Sequence, residues 1–98
     1  MTTKKINMAL QVLPQARDKG TYELVDRAIE EIQASGLVYK VCPFETVVEG
    51  TLDEMLDLVK KVHAVLDKNG TENLMTYIKL QTVFQKDVTI EDKMHKYE

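Results

Sequence analysis

The sequence predicts an α+β fold of the ferredoxin-like βαββαβ type, in which two helices cover one face of a four-stranded antiparallel sheet. Three observations support this prediction. The chain shows two β-α-β patterns in succession, a short connection joins the two patterns, and each long helix carries one apolar stripe. With 98 residues, the whole chain, 1–98, is expected to form a single domain.

The first strand is expected over residues 5–14, where apolar and polar side chains alternate. Alternation with a period of two is typical of a strand with one buried face. We expect Pro14 to end this strand, because proline has no N–H to donate to the ladder. The first helix is expected over 20–36, with Thr21 as its N-cap and Gly36 as its C-terminal cap. Its expected buried stripe consists of Tyr22, Val25, Ala28, Ile29 and Ile32.

The second and third strands are expected over 37–42 and 46–50, and the short connection between them favours a hairpin. The second helix is expected over 51–70. Thr51 and Glu54 have the spacing of a capping box, in which the hydroxyl and the carboxylate each accept a backbone N–H. The expected buried face of this helix consists of Leu52, Met55, Leu56, Val59, Val62 and Leu66.

The fourth strand is expected over 73–83, and the last ten residues, 89–98, are expected to form a short helix capped by Thr89. If both long helices cover one face of the sheet, the other face has no helix to cover it. Alternation assigns six residues to this open face: Asn7, Ala9, Gln11, Tyr77, Lys79 and Gln81. A face that mixes apolar and amide residues is a candidate for self-association, and we expect the ligand to bind between this face and a neighbouring subunit. The face of Glu49 stays undecided, because valine occurs in both alternating sets of the third strand.

Composition excludes several classes of protein. A net charge of −3 and a pI of about 5.4 argue against binding to nucleic acid, which needs a basic surface. No apolar run approaches the ~20 residues of a membrane span. The first residues lack a signal-peptide pattern, so we expect a cytoplasmic protein without a membrane partner.

The residues that carry enzyme chemistry do not form a recognisable group. The loop around Arg17 lacks a glycine-rich anion cradle, and the single cysteine, Cys42, has no evident partner base. His63 and His95 lie far apart and lack neighbouring ligands for zinc. We therefore expect no catalytic residue, no metal site and no cofactor.

Glu49 is the main candidate for binding a ligand, because it ends a strand just before a helix begins. A carboxylate in this position can accept hydrogen bonds from an amino-bearing ligand, although an ordinary exposed carboxylate near a helix N-terminus has the same pattern. Neutral hydrogen bonds are expected from Thr46, Asn7, Gln11 and Gln81. Phe44 and Tyr77 are expected to stack on a flat ring, or else to pack in a turn or against a second subunit.

The stretch GLVYKVCPFETVVEGTLDEMLDLVKKVH resembles the small thiamine-binding proteins and the related YkoF-type domains. The resemblance is carried by Pro43, a Thr-x-x-Glu-Gly motif from Thr46 to Gly50, and the acidic helix start. It implies a ferredoxin-like fold, homodimers or homotetramers built through the sheets, and binding of thiamine or its hydroxymethylpyrimidine part without catalysis. In the family this motif supplies ligand contacts, which would assign Thr46 and Glu49 to the site.

Two features depart from the family pattern. The turn before Thr46 contains Phe44 and Glu45, and the last strand carries Lys79 and Gln81 where relatives often have acidic residues. A lysine is unfavourable beside the thiazolium cation of thiamine. The alternative interpretation is a regulatory or assembly module of ACT-like architecture, which binds another small metabolite or a protein partner.

Overall fold

The computed structural model describes residues 4–98. Its elements, in chain order, are β1 (Ile6–Gln15), α1 (Thr21–Ala34), β2 (Val38–Val41), β3 (Thr46–Gly50), α2 (Leu52–Lys68), β4 (Asn73–Gln81) and α3 (Ile90–Met94), followed by one 3₁₀ turn, His95–Tyr97. The strands form one antiparallel sheet in the order β2-β3-β1-β4. The predicted ferredoxin-like fold is confirmed.

The strand register decides which side chains share a face. Met8 lies opposite Val48 on β3 and Leu80 on β4, and these three residues belong to the helix side of the sheet. Asn7 lies opposite Glu49, so Glu49 belongs to the other side, which we call the open face. The open face of the three longer strands also contains Ala9, Gln11, Val47, Tyr77, Lys79 and Gln81. The predicted alternation of the first and last strands is confirmed.

The hydrophobic core fills the space between the sheet and the two long helices. From the sheet it receives Ile6, Met8, Leu10 and Val48, and from the helices it receives Leu24, Ala28, Ile32, Met55, Leu58, Val62 and Leu66. Burial of these side chains supplies the main favourable term in folding.

The predicted helix stripes are wrong in part. In α1 the buried row is Leu24, Ala28 and Ile32, whereas Tyr22 is 86% exposed. Two residues correspond to about 200° around a helix, so Tyr22 lies nearly opposite Leu24. In α2 the same rotation leaves Leu56 exposed while Leu58 is buried, and Leu52, the first residue of the helix, is also exposed.

The ends of the elements mostly agree with prediction. The capping box of Thr51 and Glu54 is present, and Gly36 has the left-handed φ of 75° that a helix C-terminus favours. Thr21 is not an N-cap, because α1 begins at that residue and Gly20 precedes it. Pro14 does not end β1, which continues to Gln15. β3 pairs with β1 only as far as Leu10, so beyond Leu10 one side of β1 has no neighbouring strand, and a proline without an N–H is tolerated there.

The prediction that no helix covers the second face of the sheet is wrong. After β4 the chain turns back along β1, where the Val88 N–H donates to the Lys5 carbonyl at 2.9 Å. The Lys5 N–H donates to Asp87 Oδ1 at 2.9 Å, and Val88 is buried. The predicted short helix then forms as α3, with Thr89 as its N-cap. Within residues 4–98, no helix combines the length and apolar character required to cross a membrane.

Candidate functional site

A cavity of about 360 Å³ lies between the open face and α3. Its floor includes Ala9 and Val47, which are direct neighbours on β1 and β3. Ile90 and Met94 of α3 line it from the opposite side. The centre of the cavity is therefore apolar on two sides, which suits a flat organic ring.

Asn7 supplies the most unusual polar group in this cavity. Its side chain is 4% exposed, and its Nδ2 donates to the Val88 carbonyl at 3.0 Å. Its Oδ1 is buried and has no hydrogen-bond partner among residues 4–98. Buried acceptors are nearly always paired, and an unpaired one costs about 1–3 kcal/mol. Asn7, one of the residues that line the cavity, thus has a buried amide oxygen that the described residues leave unpaired.

Glu49 lies under the start of α3. It is 8% exposed, its Oε1 accepts the Ile90 N–H at 2.8 Å, and its Oε2 is 3.9 Å from Lys5 Nζ. It does not belong to the cavity lining. In this arrangement Glu49 anchors the helix that covers the cavity.

The other predicted site residues fall into two groups. Gln81 lines the cavity, and its Oε1 accepts a hydrogen bond from Lys93 Nζ. Gln11 and Tyr77 are direct neighbours on β1 and β4, on the same face but outside the cavity lining. The structure therefore brings Asn7 and Gln81 together, with Gln11 and Tyr77 farther along the sheet.

Thr46 and Phe44 lie elsewhere. Thr46 is opposite Leu10, on the helix side of the sheet and away from the open-face cavity. Phe44, in the turn between β2 and β3, is 83% exposed and lines a separate groove beside α1. The threonine and the glutamate of the Thr-x-x-Glu-Gly motif thus lie on opposite faces, because side chains three residues apart on a strand point in opposite directions.

Sequence reasoning missed two of the four charged residues that line the cavity, Lys40 and Lys93. Lys40, Lys79 and Lys93 all line the cavity, together with Glu45. Glu45 Oε1 is 3.5 Å from Lys79 Nζ. The missed signal is the apolar pair at positions 90 and 94, whose i, i+4 spacing marks a helix with one face to bury.

The histidines form no ligand cluster. His63 Nε2 is 3.0 Å from Thr76 Oγ1, and His95 Nδ1 is 3.3 Å from the Glu91 carbonyl. Over residues 4–98, no three His, Cys, Asp or Glu side chains come together in a way that could hold a metal ion.

The family model described as thiamine-binding protein matches residues 8–98. The chain belongs to this thiamine-binding family. The resemblance stated from the sequence is confirmed.

Individual relatives agree with this assignment. A UPF0045 protein of Clostridium perfringens is 36% identical over 92 residues, covering 93% of this chain and 95% of the relative. A domain of unknown function, DUF77, from Bacillus cereus has a TM-score of 0.92 at 40% identity, covering 98% of this chain and 92% of that one. A candidate thiamine biosynthesis/salvage protein from Thermotoga maritima has a TM-score of 0.86 at 32% identity, covering 96% and 99%.

Proposed function

We propose that this member of the thiamine-binding family is a non-enzymatic binding protein that holds thiamine or its hydroxymethylpyrimidine part in the cavity under α3. The observation that carries the proposal is the buried Asn7 Oδ1, an acceptor without a partner in the wall of a cavity with an apolar centre. Family membership supports the choice of ligand.

The chemistry of an aminopyrimidine suits this cavity. Its exocyclic amine donates hydrogen bonds, and Asn7 Oδ1, which is buried in the free protein, would become accessible and accept one of them when the ligand enters. Its flat ring fits between Ala9 and Val47 on the sheet and the apolar side chains of α3. The ligand would satisfy a buried polar atom that the protein alone leaves unpaired, which favours the occupied state.

Glu49 takes an indirect part in this proposal. Its carboxylate holds the first N–H of α3 at 2.8 Å, and so fixes the helix that contributes Ile90 and Met94 to the cavity. We therefore propose Glu49 as a positioning residue and Asn7 as the residue that contacts the ligand.

Thermal shift with thiamine and hydroxymethylpyrimidine tests the proposal. A ligand that binds only the folded protein raises the Tm of the protein. At a ligand concentration of a hundred times Kd, the free energy of unfolding increases by about 2.7 kcal/mol. We expect a rise for the wild type and little or none for Asn7→Leu. Gln11→Leu is the matched control, because Gln11 lies on the same strand and face but outside the cavity, and it should keep the wild-type shift.

Three outcomes would count against this function. They are no shift for the wild type with either compound, a shift for Asn7→Leu as large as that for the wild type, and a shift with amino acids or nucleotides instead. The last outcome would favour the regulatory-module interpretation.

We also propose that the protein self-associates as a dimer or tetramer in the cytoplasm through the part of the sheet that α3 leaves bare. Leu13, Met75 and Tyr77 are each at least 40% exposed on this part of the open face. β4 is an edge strand of nine residues, and its Ile78 and Leu80 are also exposed on the helix side. Long apolar edges favour pairing with another chain. Light scattering should give a dimer or tetramer, and a monomer at micromolar concentration would contradict this.

A further inference from the structure

Resting on the proposed function, we infer that the cavity selects a phosphate ester of the aminopyrimidine over the thiazolium cation. The preferred ligand thus carries an amino group at the Asn7 end and an anionic group near the lysines. The preference for a phosphate follows from the charged residues that line the cavity. Only the position of the amino group depends on Asn7.

The cavity has a charge opposite to that of the whole protein. Three lysines and one glutamate line it, a formal excess of two positive charges. The whole chain has a net charge of −3. Positive charge concentrated at a cleft raises the local concentration of anions and repels cations.

The lysines enter the cavity from three different elements. Lys40 on β2, Val47 on β3, Ala9 on β1 and Lys79 on β4 form one row across the open face, so the outer two lysines flank the apolar floor. Lys93 reaches the cavity from α3. Long, flexible lysine side chains can converge on one phosphate from such positions.

The contacts that these lysines make are weak competitors for a phosphate. Lys93 Nζ donates to the neutral amide oxygen of Gln81. Lys79 Nζ is 3.5 Å from Glu45, and this lysine is 76% exposed. Lys40 Nζ is 3.1 Å from Glu98, the last residue of the chain. Exposed ion pairs of this kind contribute little to stability, so a bound phosphate can replace them.

Asn7 is the open-face residue of β1 that precedes Ala9, so it lies beside the row that contains Lys40 and Lys79. Asn7 and Ala9 are two residues apart on β1, which corresponds to about 7 Å. This spacing suits one six-membered ring with an amino group on one side and a short phosphate arm on the other. A thiazolium ring in place of the phosphate would instead bring a positive charge towards the lysines, which is unfavourable.

Isothermal titration of the full chain with five probes tests the inference. The probes are hydroxymethylpyrimidine, hydroxymethylpyrimidine phosphate, thiamine, thiamine monophosphate and inorganic phosphate. We expect the pyrimidine phosphate to bind at least about tenfold more tightly than the unphosphorylated pyrimidine at low salt, with the ratio falling as salt screens the lysines. Inorganic phosphate alone should bind weakly, because it cannot reach the acceptor and the apolar floor together.

The double variant Lys79→Met, Lys93→Met should bind the pyrimidine phosphate and the unphosphorylated pyrimidine with similar affinity, so that the ratio of the two affinities approaches one. Lys60→Met is the matched control, because Lys60 is exposed on α2 and does not line the cavity, and it should keep the wild-type ratio. A ratio that is independent of salt, or unchanged in the double variant, would overturn the inference.

The panel separates the two proposals. If the unphosphorylated pyrimidine or thiamine binds as well as its phosphate, the selection of phosphate is wrong while the proposed function stands. If none of the four organic probes binds, the proposed function fails and the inference fails with it.

Discussion

The two faces of the sheet differ in what they bury. On the helix side, Ile6, Met8 and Val48 are fully buried against two long helices, and the contact is almost entirely apolar. On the open face, a five-residue helix lies over an apolar floor and is held by polar contacts such as that of Glu49 with the Ile90 N–H.

This difference assigns separate tasks to the two faces. Apolar burial on the helix side is non-directional and stabilises the domain. A short helix held at a few points costs little to displace, because it buries few apolar side chains. The open face can therefore admit a ligand without disturbing the core.

The largest expected effect is on the helix side. Leu58→Ala should lower the free energy of unfolding by about 2–5 kcal/mol, because it leaves a cavity in a packed core. Leu56→Ala, two residues away on the same helix, should cost less than about 1 kcal/mol, because Leu56 is 46% exposed. Urea denaturation measures both. Equal costs would contradict the assigned helix face.

An intermediate effect is expected where α3 is anchored. Glu49→Leu should cost about 1–3 kcal/mol, because it leaves the Ile90 N–H without its acceptor. Glu49→Gln retains an acceptor oxygen and should cost less. Hydrogen exchange at the Ile90 amide is the specific measurement, and it should accelerate in the leucine variant while core amides of β1 change much less.

If the core amides of β1 in Glu49→Leu lost as much protection as Ile90, the two faces would not be energetically separate. If Ile90 exchanged equally fast in the wild type, the 2.8 Å contact would not anchor the helix.

The smallest effect compares two threonines at helix starts. Thr51→Ala should destabilise the protein by about 1 kcal/mol, because Thr51 Oγ1 accepts the Glu54 N–H in a capping box. Thr21→Ala should cost less, because Thr21 caps no helix and its hydroxyl donates only to the Pro14 carbonyl at 3.4 Å. Thermal unfolding of the two variants measures the difference, and a larger loss for Thr21→Ala would contradict it.

The fold could be predicted from the sequence where it depends on local patterns. Alternation along β1 and β4 and the capping box at Thr51 are local patterns, so the strands, their faces and the start of α2 could be predicted. The face of Glu49 could not, because it depends on the register with β1, which is a long-range contact.

The site was harder to predict than the fold. Asn7 and Gln81 were assigned to the correct face, and both line the cavity. The cavity is covered by α3, which is far from β1 in the sequence. The short apolar pattern of α3 does not show which part of the protein the helix packs against. A role for Lys93 could be recognised only after α3 had been placed over the sheet.

A titration followed by two-dimensional NMR tests the central claim most directly. The full chain, labelled with ¹⁵N and ¹³C-methyl groups, is titrated with hydroxymethylpyrimidine and with its phosphate. We predict that the largest shifts occur at the Asn7 side-chain amide and at the methyl groups of Ala9, Val47 and Met94, while those of Leu58 and Val62 stay nearly unchanged. Shifts concentrated in the groove beside α1, or no shift at Asn7, would contradict a binding site under α3.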